Sequence, residues 1–389
     1  MTPTSQKPIE SYRELFPTVH KVGYFMTNSL GAMPKTVGPA LQEMMDAWVE
    51  HGANAWEQWV PLSARVSDQV GRLIGAKPNT IALHLNVSSL MAMLLSSYDF
   101  RSTKRNKIVY TEMDFPTLHY ISDAWRDYGA RIHIVKSRDG IGIDLQDFLD
   151  AIDEETALIP TCHVFFGSSY MQDIAAITRK AHQVGARVCA DLYQSAGSMP
   201  IDVTAWNVDY AIGGSHKFFC GGSGGGYLYV RPDLVDSVKP RVTGWLSHPK
   251  AFAMTLDPVD WSPGMQRFMG GTPSVAPLYT GPCGYSILEE VGLARIREFS
   301  QKQTERLIEW ADELKFEIRT PRDVAHRGPS VHVRFPGVEK TQPLLKERGF
   351  LVHYRDAYQG LRVSPHFYNT LGEIDALMKT LGELSKQVR

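Results

Sequence analysis

Apolar residues along this chain fall into two alternating patterns, short β-branched runs and longer stretches with helical spacing. Ile81–Leu85, Lys107–Thr111, Arg131–Val135, Ala157–Val164, Arg187–Asp191 and Tyr210–Gly213 read as strands. Ser88–Tyr98, Leu118–Tyr128, Leu145–Asp153 and Gln172–Val184 read as the helices between them. In the last of these, Ile174, Ile177, Ala181 and Val184 share a face, and Gly185 follows as a natural stop. Strands separated by single helices predict right-handed crossovers and a mainly parallel sheet, with ligands beyond the strands' carboxyl ends. The fold class is therefore α/β, with one large domain over residues 50–285. After Pro282, one long helical pattern runs from about 284 to 314, with Glu289, Glu290, Arg295, Arg297 and Glu298 as its solvated charges. Strands at Ser330–Phe335, Leu351–Tyr354 and Leu361–Ser364, and a helix at Leu371–Leu384, predict a smaller α+β domain over 286–389. Residues 1–49 are expected to join it.

Composition narrows the class without naming a chemistry. A chain of 389 residues suits two or three domains, and 43% hydrophobic residues exclude general disorder. The 41 Lys and Arg balance 42 Asp and Glu, so no basic footprint for nucleic acid is present. No apolar stretch approaches a membrane span, and the N-terminal MTPTSQKPIESYRELFP lacks a signal-peptide core, so the cytoplasm is the expected compartment. Cys162, Cys189, Cys220 and Cys283 form no C-x-x-C pair, so neither a metal site nor a disulfide framework is expected.

Three signals fall at predicted strand ends. Asp191 closes a strand and is aimed at the crevice, followed by Leu192, Tyr193 and Gln194. Lys217 lies in Gly213-Gly214-Ser215-His216-Lys217-Phe218-Phe219, ahead of the glycine cluster 221–226. Desolvation there favours the neutral amine, the form that condenses with a carbonyl. Asn86-Val87-Ser88-Ser89 opens a helix, where Ser88 or Ser89 can cap and free N–H groups can receive a phosphate. A phosphate anchor, a strand-end aspartate and a buried lysine, in that order, are the parts required by pyridoxal 5′-phosphate: a Schiff-base lysine and an acidic partner for the ring nitrogen. Phe115 could stack on the ring. Tyr24, Trp56, Trp59 and Trp245 point to an apolar or aromatic substrate pocket, although such residues more often serve a core or an interface.

Motifs over nearly the whole length make the chain similar to the class V aminotransferase-fold enzymes, and within them to kynureninases. They are Tyr24-Phe25-Met26-Thr27-Asn28-Ser29-Leu30-Gly31 with Pro34-Lys35, Phe115-Pro116-Thr117, and Tyr170-Met171-Gln172-Asp173-Ile174-Ala175-Ala176. Gly244-Trp245 with His248, Gly271-Thr272-Pro273, and the ending Arg362-Val363-Ser364-Pro365-His366-Phe367-Tyr368-Asn369 complete the set. The resemblance implies a fold-type I homodimer with shared active sites and a small-molecule amino-acid substrate. It implies that Phe115 stacks on the cofactor, that Val87, Ser88 and Ser168 approach its phosphate beside His216, and that Gln194 contacts its phenolic oxygen. Trp245 and Thr272 would reach in from the partner, Asn28 and Ser29 would line the substrate side, and Arg362 would bind the α-carboxylate.

The chain departs from kynureninases at informative places. His216 stands where they carry a tyrosine, Gln194 where they carry a histidine, and Leu118 where an aspartate is expected. Gly52-Ala53-Asn54-Ala55 stands in place of a Gly-His pair that helps to bind the aromatic substrate. Two enzymatic readings follow. One is kynureninase-like hydrolysis between the β- and γ-carbons of an L-amino acid, through Lys217; the other is transamination or β-elimination on the same cofactor. A non-catalytic binding protein on this fold is the remote third reading.

Overall fold

Seven apolar runs pair side by side to form the central sheet of the computed structural model, which describes residues 7–388. Residues 1–6, the start of the polar N-terminal stretch considered above, lie outside the described residues, as does residue 389. The chain enters through a short strand β1 (Gly23–Tyr24) and two helices, α1 (Val37–His51) and α2 (Trp56–Leu73). The sheet strands are β2 (Ile81–His84), β3 (Lys107–Thr111), β4 (Arg131–Val135), β5 (Thr156–Cys162), β6 (Arg187–Asp191), β7 (Tyr210–Gly214) and β8 (Gly226–Val230). Their order is β2-β8-β7-β6-β5-β3-β4. Every pair is parallel except those of β8, which runs against both neighbours. The crossovers carry α3 (Val87–Leu95), α4 (Pro116–Ala124), α5 (Leu145–Asp150) and α6 (Ile174–Gln183). Covered by helices, the central strands are buried on both faces: β5, β7 and β8 are buried throughout.

The expected α/β class and mainly parallel sheet are therefore present, with β8 added. Only residues 215–225 separate β7 from β8. That is too short for a helical crossover, so the chain turns back antiparallel. The single long helix expected over about 284–314 is instead two, α7 (Ala276–Val291) and α8 (Leu293–Glu313). Gly292, at φ 86°, breaks them. Pro282 sits inside α7, where the preceding Gly281 has no Cβ for the proline ring to strike.

The remaining strands are β9 (Glu317–Ile318), β10 (Val331–Arg334), β11 (Phe350–Leu351), β12 (His353–Arg355) and β13 (Gly360–Val363), with helices α9 (Thr341–Glu347) and α10 (Leu371–Gln387). The run expected as one strand over 351–354 divides at Val352, because β11 pairs with β1 while β12 joins an antiparallel sheet in the order β12-β13-β10-β9. Two apolar clusters result. The larger surrounds the central sheet and takes in Ile9, Tyr12, Phe16 and Val19; the smaller gathers Phe25 with Leu307, Val331, Val363, Ile374 and Leu377. We propose a division into a cofactor domain over 50–285 and a smaller domain from 1–49 and 286–389, with the N-terminal segment bridging the two: Ile9, Tyr12, Phe16 and Val19 pack on the larger cluster and Phe25 on the smaller.

That N-terminal segment also fixes the lysine loop. The Gly31 N–H donates to the His216 carbonyl at 2.7 Å, and the Asn28 N–H donates to Ser364 Oγ at 3.0 Å. A Cβ on Gly31 would strike the Lys217 carbonyl oxygen and lie 2.9 Å from Cys220 Sγ. Gly31→Ala is expected to destabilise the protein by about 1–3 kcal/mol, the usual cost of overpacking. Urea unfolding of the two proteins checks this, and an unchanged midpoint would show that the loop yields freely.

Candidate active site

The parallel strands bring their carboxyl ends to one edge, and the chemistry-bearing residues collect there. β5 ends at Cys162, β6 ends at Asp191, and Lys217 lies three residues beyond β7. A cavity of about 580 Å³ opens at this edge, bounded also by Asn28, Ser29, the start of α3, Arg355 and Arg362 of the smaller sheet, and Tyr358 in the turn between them. Its size is within the range of small-molecule and cofactor sites.

Lys217 is 9% exposed, with no carboxylate in salt-bridge range among the described residues. Its Nζ lies 4.6 Å from the Tyr193 ring centroid and 5.3 Å from that of Phe115. Burial lowers its pKa to about 8, against the pull of Asp191. Asp191 is 3% exposed; its Oδ1 accepts the Tyr193 N–H at 2.9 Å, and Cys162 Sγ lies 3.7 Å from Oδ2. Burial raises the Asp191 pKa, partly offset by that N–H and by Lys217. His216 Nδ1 is 3.3 Å from the Tyr193 hydroxyl, and burial, then the Lys217 charge, lowers its pKa to about 4. The imidazole is therefore neutral at neutral pH. Gly214 is required beside this pair, because a Cβ would collide with the Tyr193 hydroxyl.

At the opposite corner, Asn86 is the cap of α3, correcting the expectation of Ser88 or Ser89. Asn86 adopts extended backbone, and its Oδ1 accepts the Ser89 N–H at 3.0 Å. This leaves the Val87 and Ser88 N–H groups as the helix's open donors toward the cavity. Phe115 is held at the mouth by the preceding residue. Buried Asp114 accepts N–H groups from Thr111 at 2.7 Å and Cys162 at 2.5 Å, tying β3 to β5. Burial pushes its pKa up to about 6 against those bonds.

Arg362 is 3% exposed, yet among the described residues it meets no carboxylate. Nη1 donates to the Phe166 carbonyl at 2.6 Å, Nη2 lies 3.4 Å from His353 Nδ1, and Nε has no partner among the described residues. Burial, then neighbouring Arg355, lowers its pKa to about 10. The two side-chain polar atoms of Asn28 are also buried without partners among the described residues, while its carbonyl accepts from Gln194 Nε2 at 3.1 Å.

The cavity thus joins Asn28, Ser29, Val87, Ser88, Phe115, Asp191, Gln194, His216, Lys217 and Arg362. It does not take in Ser168, which is buried with its Oγ accepting the Tyr170 N–H, nor Trp245 and Thr272 of the same chain. Trp245 is half-exposed, edge-on to Phe252, and Thr272 lines a separate hollow with His84 and Tyr285. Tyr24, Trp56 and Trp59 are also elsewhere: the Trp59 indole N–H donates to the Tyr279 hydroxyl at 3.2 Å, between α2 and α7. The aromatic wall is Phe115, Phe166, Tyr193 and Tyr358. Tyr193 was legible as one of the two residues between Asp191 and Gln194; Phe166, Tyr358 and Arg355 carried no local signal.

A parallel α/β sheet with a buried lysine and a strand-end aspartate at its carboxyl edge defines a class of cofactor-dependent enzymes. This chain belongs to the aminotransferase class-V family, whose model matches residues 51–377. It is 30% identical over 365 residues to an uncharacterized aminotransferase, YcbU, of Bacillus subtilis (strain 168), covering 94% of this chain and 95% of that protein. It is 29% identical to the kynureninase of Pseudomonas fluorescens, covering 98% and 93%. Among solved structures, the apo cysteine desulfurase of Thermococcus onnurineus NA1 superposes with a TM-score of 0.87 at 23% identity, covering 98% and 99%. The chain is therefore a pyridoxal-phosphate-dependent enzyme of fold type I, which sets aside the non-catalytic reading. The residues present fit that cofactor: a buried amine whose charge burial disfavours, a buried carboxylate, open helix N–H donors and the aromatic side chains of Phe115 and Tyr193 share one cavity. Among the described residues, no helix is long and apolar enough to cross a membrane.

Because its lowered pKa favours the neutral amine above about pH 8, Lys217 in the cofactor-free protein should react faster with pyridoxal phosphate as pH rises. The rate, followed by absorbance, is expected to be half-maximal near pH 8. A midpoint at the ordinary lysine value would contradict the burial argument.

Proposed function

We propose that this enzyme acts at the α-carbon of an L-amino acid held between Lys217 and Arg362. The observation that carries the reading is a buried amine and a buried guanidinium, neither paired with a carboxylate among the described residues, facing one cavity. When bound, pyridoxal phosphate supplies an aldehyde and an electron-accepting ring. Asp191 would hold a proton at the ring nitrogen, Gln194 would meet the phenolic oxygen, and Phe115 would cover the ring face. The N–H groups of Val87 and Ser88, with His216, would receive the phosphate. Arg362 would hold the α-carboxylate through its planar fork, with Asn28 and Ser29 beside the substrate. Lys217, poised near neutral pH, would take the α-proton and return it.

Likeness over nearly the whole chain to a kynureninase supports hydrolytic cleavage between the β- and γ-carbons as the first reading. Transamination or β-elimination is the second, favoured by His216 and Gln194 and by the likeness to an aminotransferase. Sulfur transfer through a cysteine nucleophile has little support. Cys162 borders the cavity, but it is buried at the end of β5 with its Sγ 3.7 Å from Asp191 Oδ2 and its thiol pKa raised by burial; Cys189 and Cys220 are buried, and Cys283 lines another hollow. We also propose a homodimer, with Trp245 and Thr272 serving the partner's site. The exposed Val242, Phe252, Leu256 and Val259 near Trp245 in sequence suit such an interface.

Borohydride treatment of the holoenzyme is expected to fix the cofactor on Lys217, read by peptide mass. Lys217→Ala should abolish this and lower turnover by roughly 10³-fold. A colourless protein that takes up no pyridoxal phosphate would end the reading. Asp191→Asn is expected to lower turnover by about 10²-fold while the protein stays folded. Release of anthranilate from L-kynurenine supports the hydrolytic reading, whereas conversion of the cofactor to its pyridoxamine form with L-alanine supports transamination.

A further inference from the structure

The smaller sheet turns a basic face toward the cavity. His332 on β10, Arg362 on β13 and His353 on β12 are directly paired across the strands, so their side chains share one face. Arg355 lies two residues beyond His353, opposite Gly360, and so shares that face as well. The two histidines add no charge at neutral pH: burial, then the neighbouring arginines, lowers each pKa to about 4. The charge of this face toward the cavity therefore resides on Arg362 and Arg355, which both line it.

Arg362 is accounted for by the α-carboxylate in the reading above; Arg355 is not. Its side chain is exposed at the cavity, and among the described residues it makes neither an ion pair nor a side-chain hydrogen bond. Asp191, the one acidic residue lining the cavity among the described residues, lies near Lys217 at the end of the large sheet. The phosphate corner at α3 has its own donors. One cation at the substrate end is thus left without an anion.

We propose that the substrate is an L-amino acid whose side chain ends in a second acidic group, and that Arg355 is the residue that selects it. The proposal rests on the reading that Arg362 holds the α-carboxylate. Arg355 and Arg362, two positions apart in register on one face, would take the two acids of a single molecule. Tyr358, in the turn between β12 and β13, lines the cavity with them.

The test uses holoenzyme and paired ligands of equal length: succinate against butyrate, and glutarate against valerate, with affinity read from the cofactor absorption band or by calorimetry. The dicarboxylates are expected to bind roughly tenfold more tightly, as one charge-assisted bond at a half-open site allows. Added salt should shrink that ratio. Arg355→Met should bring the ratio near one, and Arg355→Lys should retain part of it, an order that mere loss of packing would not produce. The kcat/KM of L-aspartate over L-asparagine and of L-glutamate over L-glutamine should follow the same order. Equal binding of the paired ligands to the wild-type enzyme overturns the proposal, as does a preference that survives Arg355→Met. An altered oligomeric state in Arg355→Met with an unaltered ratio also overturns it, because Arg355 would then be answering a second copy of the chain. The underlying reading fails separately: it falls if borohydride fixes no cofactor on Lys217, and it stands if fixation occurs and only neutral amino acids react.

Discussion

An amine taken out of water with no carboxylate to meet it either gives up its charge or costs the fold several kcal/mol. Lys217 is held in that condition. Its loop is pinned from below by the Gly31 N–H, walled by Tyr193 and Phe115, and placed at the edge where the strands of the large sheet end. Asp191 is near enough to attract it and too far to pair with it, so burial dominates and the amine is ready to react near neutral pH. Neutral His216 alongside adds no second positive charge. The mainly parallel sheet, the glycine at 214 and the strap of residues 26–32 all serve this one desolvated group.

The opposite end of the cavity obeys a different rule. Arg362 cannot shed its proton as a lysine can, so its burial calls for an anion rather than for neutrality. The large sheet supplies the nucleophile and the small sheet supplies the anion clamp, each backed by its own apolar cluster. An amino acid presents both an amine and a carboxylate, and so it satisfies both ends at once.

Much of this was legible along the chain, for local reasons. Lys107–Thr111, Arg131–Val135 and Arg187–Asp191 have the bounds expected of them, because β-branched runs between turn residues declare themselves. Lys217 stood out as a charge among apolar residues and glycines, Asp191 as a carboxylate closing a strand, and Arg362 only through the family ending Arg362-Val363-Ser364-Pro365 that surrounds it. What escaped depended on partners far away in sequence. β8 needs β2 and β7 on either side, and its glycine-led start hid it. The break at Gly292 is a matter of one backbone angle within an otherwise periodic run. Asn86 rather than Ser88 caps α3 because Asn86 takes the extended backbone, which residue type alone does not decide. Arg355 and Tyr358 reach the cavity only because β12 and β13 fold back onto the large sheet, and Phe166 reaches it from the loop after β5.

The two-cluster construction has a consequence during synthesis. Lys217 and Asp191 precede Arg362 by roughly 145 and 170 residues. At about 5–20 residues per second, the lysine leaves the ribosome roughly 7–30 s before the arginine that faces it. A nascent chain can thus present the cofactor end of the pocket while the end that grips a carboxylate does not yet exist. Completion of the site awaits β13, whose partners β10 and β12 are themselves made within the last sixty or so residues of the chain.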